Sequence, residues 1–331
     1  MKIFITGATG FVGTQVINRL EGSGHELHCL VRKHHQANER LQSLGAKLFL
    51  GDVTDKQSIM KGMQGCDWVI HLAGHYTFWE SDNRLYRKVN VEGTQNVMEC
   101  ALETKPLKVV HISTVVTFGK PAESPFTEKS KPGPVRFSRY ARTKYEGDQI
   151  VMSLQKNHGL PAVIIYPCSI CGARDPKASG QYVSDIIHKR LPFKALNNSN
   201  LTFVHVRNVA EAIVRAREKP GNIGEKYLIG DKPVTFGEVN KMVSEISGVS
   251  LPKLSLPDFL VMINAYILTG ISRLTKKAPP WGMSVDQMKT MKKGFRADGS
   301  KAEKELGFKY TPFRIALEEE IAAVNKTGKL F

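Results

Sequence analysis

The chain lacks any apolar run long enough to cross a bilayer. The longest, Phe259-Leu260-Val261-Met262-Ile263-Asn264-Ala265-Tyr266-Ile267-Leu268, is broken by Asn264 and, even extended to Ile271, falls short of the ~20 residues a spanning helix needs. No charged segment followed by an apolar stretch and a small-residue cleavage site stands before the first strand, so a cytosolic protein is expected. Cysteine is scarce as well. Cys29, Cys66, Cys100, Cys168 and Cys171 are odd in number and mostly fall in strand- or helix-like runs, which points to reduced thiols rather than a disulfide framework. Cys168 and Cys171 have redox-motif spacing but no second pair for zinc; they read as two small apolar side chains lining a pocket, and no metal is expected. Acid is short too, since 31 Asp and Glu face 47 Lys and Arg, giving a net charge of +16 that is heavier after residue 150. No nucleic-acid recognition motif accompanies the surplus, so nucleic acid is not an expected partner. Repeats and low-complexity tracts are missing, and 331 residues with 41% hydrophobic content can bury a large core.

What is present begins almost at the first residue. The apolar run Ile3-Phe4-Ile5 leads into Thr6-Gly7-Ala8-Thr9-Gly10-Phe11-Val12-Gly13, and Val12 to Leu20 reads as an amphipathic helix. Strand, glycine-rich turn and helix in that order make a dinucleotide cradle. Gly7 lets the chain turn sharply, Gly10 lets the backbone approach a pyrophosphate, and Gly13 lets the helix pack closely on the sheet. The anion then meets unpaired N–H groups at the positive end of the helix dipole.

Further apolar runs at Leu27 to Val31, Lys47 to Leu50, Trp68 to Leu72, Val109 to Ile112 and Ala162 to Tyr166 alternate with helix-like segments, which predicts a parallel sheet covered on both faces. After Pro167 the alternation breaks. A helix near Tyr182 to Lys189, a helix over Val206 to Lys219 and a strand over Lys226 to Ile229 follow, and the remainder is mainly helical. The expected architecture is α/β: a Rossmann doubly wound parallel sheet with a smaller, mainly helical C-terminal substrate lobe. Residues 1–167 and about 206–230 would form the first, about 168–205 and 231–331 the second.

Tyr140 and Lys144 lie four apart in a helical segment, so hydroxyl and ammonium can face one site. Bringing a tyrosine from about 10 to neutrality takes about 4 kcal/mol of differential stabilisation. A neighbouring cation, a hydroxyl donor and an oxidised nicotinamide all act in that direction. The set of motifs resembles the extended short-chain dehydrogenase/reductases, also called the NAD-dependent epimerase/dehydratase superfamily. Besides the glycine turn, it comprises Gly51-Asp52-Val53-Thr54-Asp55, His71-Leu72-Ala73-Gly74, Asn90-Val91-Glu92-Gly93-Thr94-Gln95-Asn96 and the Ile112-to-Gly119 strand. The resemblance implies that Thr114 binds the substrate oxygen, with Ser113 its neighbour and rival. Tyr140 would be the acid/base, Lys144 the holder of the nicotinamide ribose, and Asn90 a structural and proton-relay residue. It assigns cofactor contacts to Gly7, Thr9, Gly10, Phe11, Val12 and Gly13, to Asp52 and Val53, to Leu72, Ala73 and Gly74, and to Tyr166, Pro167 and Ser169. It also implies a homodimer.

NAD-preferring relatives place a carboxylate at the tip of the second strand. Here Leu30-Val31-Arg32-Lys33 stands there, and Glu26 comes too early. A guanidinium suits a 2′-phosphate, so Arg32 and Lys33 point to NADP(H) over NAD(H), the plain alternative being a solvated basic turn. Two departures from the sugar-nucleotide pattern, at Tyr166 to Gly172 and Met288 to Phe295, tilt the reading toward the dihydroflavonol 4-reductase-like and hydroxysteroid-dehydrogenase-like branches. The aromatic loop His75-Tyr76-Thr77-Phe78-Trp79 would suit an apolar small-molecule substrate, or else be shielded core. The leading expectation is an NADP(H)-dependent carbonyl/alcohol oxidoreductase. A nucleotide-sugar epimerase or dehydratase with bound NAD is the alternative, and a non-catalytic NADP sensor or membrane-bound scaffold a third. The basic, apolar 259–296 segment is a helix over the substrate cleft with a solvated face, or one lying peripherally on the inner membrane surface against anionic lipid.

Overall fold

A computed structural model describes residues 1–32 and 36–327. Lys33, one of the two cations expected at the cofactor's ribose, lies outside the described residues. The first half alternates strictly: β1 (Lys2–Thr6), α1 (Phe11–Leu20), β2 (Glu26–Val31), α2 (Gln36–Ser43), β3 (Lys47–Leu50), α3 (Lys56–Met63) and β4 (Trp68–His71). After α4 (Arg84–Arg87) a π-helical turn, Lys88–Glu92, runs into α5 (Gly93–Thr104), followed by β5 (Lys108–Ile112) and a 3₁₀ turn, Val115–Phe118. Then come α6 (Arg139–His158), β6 (Ala162–Pro167), β7 (Ser169–Cys171), α7 (Ala178–Ile187), β8 (Asn200–His205), α8 (Val206–Glu218), β9 (Lys226–Ile229) and β10 (Pro233–Thr235). The chain finishes with α9 (Phe236–Ser247), α10 (Asp258–Thr275), α11 (Val285–Lys293), α12 (Ser300–Leu306) and α13 (Phe313–Thr327).

Seven strands form one parallel sheet in the order β3-β2-β1-β4-β5-β6-β9. Every residue of β6 is buried, as a strand covered on both faces demands, and its β-branched residues suit that site. The order reverses between β1 and β4, whose ends meet at Thr6 and His71. A crevice must open there, because successive connections leave the sheet in opposite directions. β7, β8 and β10 form a second, three-stranded sheet, which the sequence reading did not anticipate. Its β7–β8 pair is parallel and β10–β8 antiparallel. A second apolar cluster, with Phe203 stacked on Phe313 at 4.3 Å, lies under it. A third and smaller one joins Leu196, Val261, Ala265, Met283 and Met288.

Two expectations shift. The helix placed near Tyr182 to Lys189 begins at Ala178, because Asp175 accepts from the backbone N–H groups of Lys177 and Gly180 and starts the turn early; Lys189, at φ 54°, lies beyond its end. Cys168 and Cys171 are buried apart from the cavity described below. Cys168 sits in the main core and Cys171 in the second one, where its thiol donates to the Val204 carbonyl at 3.4 Å, and burial pushes both thiols up.

The glycine turn takes the form its sequence requires. Gly7 adopts φ +75°, and a Cβ on Gly13 would stand 2.1 Å from the Gly7 carbonyl oxygen, so α1 packs where only a hydrogen fits. Gly13→Ala is expected to cost roughly 1–3 kcal/mol of stability through forced backbone movement. It should also weaken dinucleotide binding, both read by denaturant unfolding and cofactor fluorescence titration.

Candidate active site

α1 begins at the mouth of the crevice. Its N-cap is Gly10, no side chain caps it, and no acid stands in its first turn, so its leading N–H groups face no competing carboxylate. Thr9 and Gly10 are exposed at the mouth; Phe11 and Val12 are half-buried and Gly13 buried behind them. Leu72, Ala73 and Gly74 leave β4 alongside. The Ala73 N–H donates to the Thr6 hydroxyl at 3.2 Å, and a Cβ on Gly7 would meet Ala73 N at 2.7 Å. Asp52 follows β3 and accepts from the Thr54 N–H at 2.9 Å, while Val53 is buried under Gly93. Arg32, exposed at the end of β2, places its charge near His75 and Lys177 across the crevice. Glu26 stands at the opposite end of β2, bridged to Lys47 at 2.6 Å. This cradle fits a dinucleotide phosphate: glycines where side chains would collide, and an uncapped helix end aimed at the opening.

α6 supplies the reactive groups. Ser138 caps it by accepting from the Ala141 N–H at 3.1 Å, and Gly159 ends it in the left-handed region. Tyr140 and Lys144 are both buried along one face. Thr114, extended at the end of β5, hydrogen-bonds the Tyr140 phenol, and the Lys144 ammonium donates to the Ile112 carbonyl at 2.7 Å. Burial pushes the phenol up and the Thr114 contact opposes it; burial pulls the ammonium down and the charge of Asp148 opposes that.

Asp148 is the residue the sequence reading missed. It continues the spacing of four after Tyr140 and Lys144, which was the available signal. Its carboxylate accepts from the Ser113 hydroxyl at 2.6 Å and lies 3.2 Å from His111 Nε2. Thr117 and Tyr166 also hydrogen-bond it. Two expected contacts therefore change. Ser113 turns away from the crevice toward Asp148, and the Tyr166 ring is buried against Phe118. Neighbouring residues of an extended segment point to opposite sides, so Thr114 facing the site puts Ser113 behind it. Pro167 ends β6 opposite Ile229, and Ser169, half-buried, opens β7.

The aromatic loop divides as well. Tyr76 and Phe78 place their rings edge-on to Tyr140, at 5.0 and 6.2 Å between centroids. His75 turns to Glu80 at 2.9 Å and to the Tyr86 ring, and neither His75 nor Trp79 lines the adjoining cavity. Asn90 sits in the π-helical turn and fastens the loop. Its Oδ1 accepts from the His75 N–H at 2.8 Å, and its Nδ2 donates to the His75 carbonyl and to Thr143 on α6. Gly147 lets the two helices close: a Cβ there would be 2.6 Å from the Asn90 carbonyl oxygen. Beyond Tyr76 and Phe78 a cavity of about 260 Å³ opens, walled by Leu191, Phe193, Leu196, Met283, Met288 and Met291, with Lys177, Gln181 and Asp185 as polar members.

The NAD dependent epimerase/dehydratase family matches over residues 3–230. The chain belongs to that family. Its members are NAD(P)-dependent enzymes of the short-chain dehydrogenase/reductase type, and this chain is one of them. It is 27% identical to the "Putative dihydroflavonol 4-reductase" of Synechocystis sp. over 96% of this chain and 93% of that protein. It is 31% identical to the "4-hydroxy-2-methyl-3-oxo-4-farnesyl-3,4-dihydroquinoline-1-oxide ketoreductase" of Stigmatella aurantiaca, covering 78% of this chain and 76% of that one. The crystal structure of gox2253 superposes with a TM-score of 0.83 at 33% identity, over 99% of both chains. Reductases and sugar epimerases both occur among the family relatives.

Burial pushes Asp148 up from 3.8 to about 6. The folded state then holds a proton that the unfolded state has released, so this residue's contribution to stability falls as pH rises from about 4 through 6. Asp148→Asn should lack that fall. It should also cost roughly 1–3 kcal/mol at low pH, because a donor amide replaces an acceptor among donors. Urea unfolding at several pH values is the check: the gap to wild type should narrow between pH 4.5 and 7.

Proposed function

We propose that the chain is an NADP(H)-dependent oxidoreductase that interconverts a carbonyl and an alcohol on a largely apolar molecule. The observation that carries this reading is the Thr114–Tyr140–Lys144 arrangement beside Tyr76 and Phe78, two rings that meet Tyr140 edge-on and also line a largely apolar cavity. A reduced nicotinamide held in the crevice would supply the hydride. Tyr140 Oη then gives its proton to the carbonyl oxygen, held meanwhile by the Thr114 hydroxyl. Lys144, one turn along the same helix, would hold the ribose, and the Asp148 charge opposes the downward pull of burial on its ammonium. Gly7, Gly10 and Gly13 would cradle the pyrophosphate, with Asp52 and Val53 at the adenine, and Arg32 would pair with the 2′-phosphate.

The sugar-nucleotide alternative draws support from the epimerases among the relatives. The cavity weighs against it, because methionine, leucine and phenylalanine dominate its wall and Lys177 is the one cation among its lining residues. A farnesylated ketone, as in the name of the Stigmatella relative, matches that wall better than a diphosphate.

Tyr140→Phe should lower turnover by about 10²- to 10⁴-fold with the fold intact. Near-wild-type turnover in a stopped-flow NADPH oxidation assay over a ketone panel would remove Tyr140 from its role. Arg32→Asp should reverse the NADPH/NADH affinity ratio, and an unchanged ratio would refute the 2′-phosphate contact. Thermal protection by UDP-sugars, with no ketone turned over, would favour the alternative.

A further inference from the structure

α10 is built inside out for a surface helix. Its inner face buries Val261 and Ala265 against Leu196, Met283 and Met288. Its outer face should then be polar. Instead Leu260, Ile263, Ile267, Ile271 and Leu274 form an exposed stripe spaced three and four apart, with Leu274 86% exposed. Phe259 and Tyr266 widen it, so at 3.6 residues per turn the apolar arc covers roughly 140° of the outward surface. Leu254 and Trp281 are exposed as well, and among the described residues more than half of the large exposed hydrophobic side chains fall between 254 and 281. A patch of that extent marks an interaction surface.

Its rim is mainly basic. Arg273, Lys276 and Lys277 are exposed at the C-terminal end of α10, and Lys292 and Lys293 on neighbouring α11. The Lys289 ammonium lies 5.4 Å from the Tyr266 ring centroid, beside the stripe itself. The acids nearby are occupied: Asp258 faces Lys292 at 4.0 Å, and Asp286 accepts from the Arg139 N–H at 2.9 Å. No helix among the described residues is long and apolar enough to cross a membrane.

We propose that α10 is a docking helix that lies in the plane of an anionic lipid surface, its apolar stripe in the headgroup–acyl boundary and its basic rim on the phosphates. The charge argues for lipid over a second copy of the chain, since a second copy brings its own surplus of cations to the same seam while an anionic headgroup layer neutralises it. Leu196, Met283 and Met288 both support α10 and wall the cavity. On the reading of the site given above, an apolar substrate dissolved in the bilayer would thus be held against the wall of its own binding cavity.

Flotation of the full chain with vesicles of phosphatidylcholine alone, and of phosphatidylcholine mixed with phosphatidylglycerol, tests this. Wild type should partition at least about tenfold more strongly onto the anionic vesicles, less so as salt is raised. Ile263→Glu/Ile267→Glu and Arg273→Glu/Lys276→Glu/Lys277→Glu should each lose about tenfold or more, with unchanged melting and NADPH affinity. Absence of binding to phosphatidylglycerol vesicles, or binding that both variants retain, overturns the proposal. So does a dimer in sedimentation that the apolar variant splits while wild type ignores vesicles. Ketone turnover by the same variants in vesicle-free buffer reads the catalytic assignment separately, so either can fail alone.

Discussion

Lys144 and Asp148 stand one helical turn apart inside the protein, where each ion would be costly without the other. Their mutual attraction offsets part of the desolvation, and the hydroxyls of Ser113 and Thr117 together with the Tyr166 phenol supply hydrogen bonds for the rest. That arrangement pins α6 to the ends of β5 and β6. Because Tyr140 rides on the same face of α6, the position of the phenol beside Thr114 follows from where these buried groups find their partners on β5 and β6. His111 on β5 extends the network and stacks on His71, whose ring lies between the Thr6 and Thr94 hydroxyls. Burial holds both imidazoles well below their ordinary value, so at neutral pH they are uncharged links between the sheet and the helix.

On its other side α6 is fixed by contact with the π-helical turn. The missing side chain at Gly147 allows the approach, and Asn90 uses it to hold the aromatic loop through two hydrogen bonds to the His75 backbone and α6 through a third, to Thr143. Catalytic helix, cofactor crevice and substrate loop are thereby joined through one short segment. The Tyr76 and Phe78 rings stand against Tyr140 because the backbone at His75 is held.

Much of this was legible in the residues. The glycine turn, the strand positions from β1 to β6, the return of β9 to the sheet and the Tyr140–Lys144 pair all follow from local pattern: a period of two or 3.6, a turn that only glycine can make, a spacing of four on a helix. What escaped the reading depended on partners distant in sequence. The small sheet pairs β8 with strands on either side of it that no local period announces. Asp148 gains its role only because the fold sets β5 behind it. Ser113 and Thr114 are neighbours of similar chemistry, and only the direction of the extended backbone separates them. His75 differs from Tyr76 and Phe78 through the partners it finds in the fold, Glu80 and the Tyr86 ring.

The sequence by itself determined the fold class, the crevice for a dinucleotide and the two side chains one turn apart, because each is dictated by contacts among near neighbours in the chain. Tertiary structure alone decided which hydroxyl faces the crevice, which rings wall the cavity and which side of α10 is left outward. Those outcomes depend on what packs against each segment from afar, and burial changes the energy of a charge or an apolar surface far more than local sequence does.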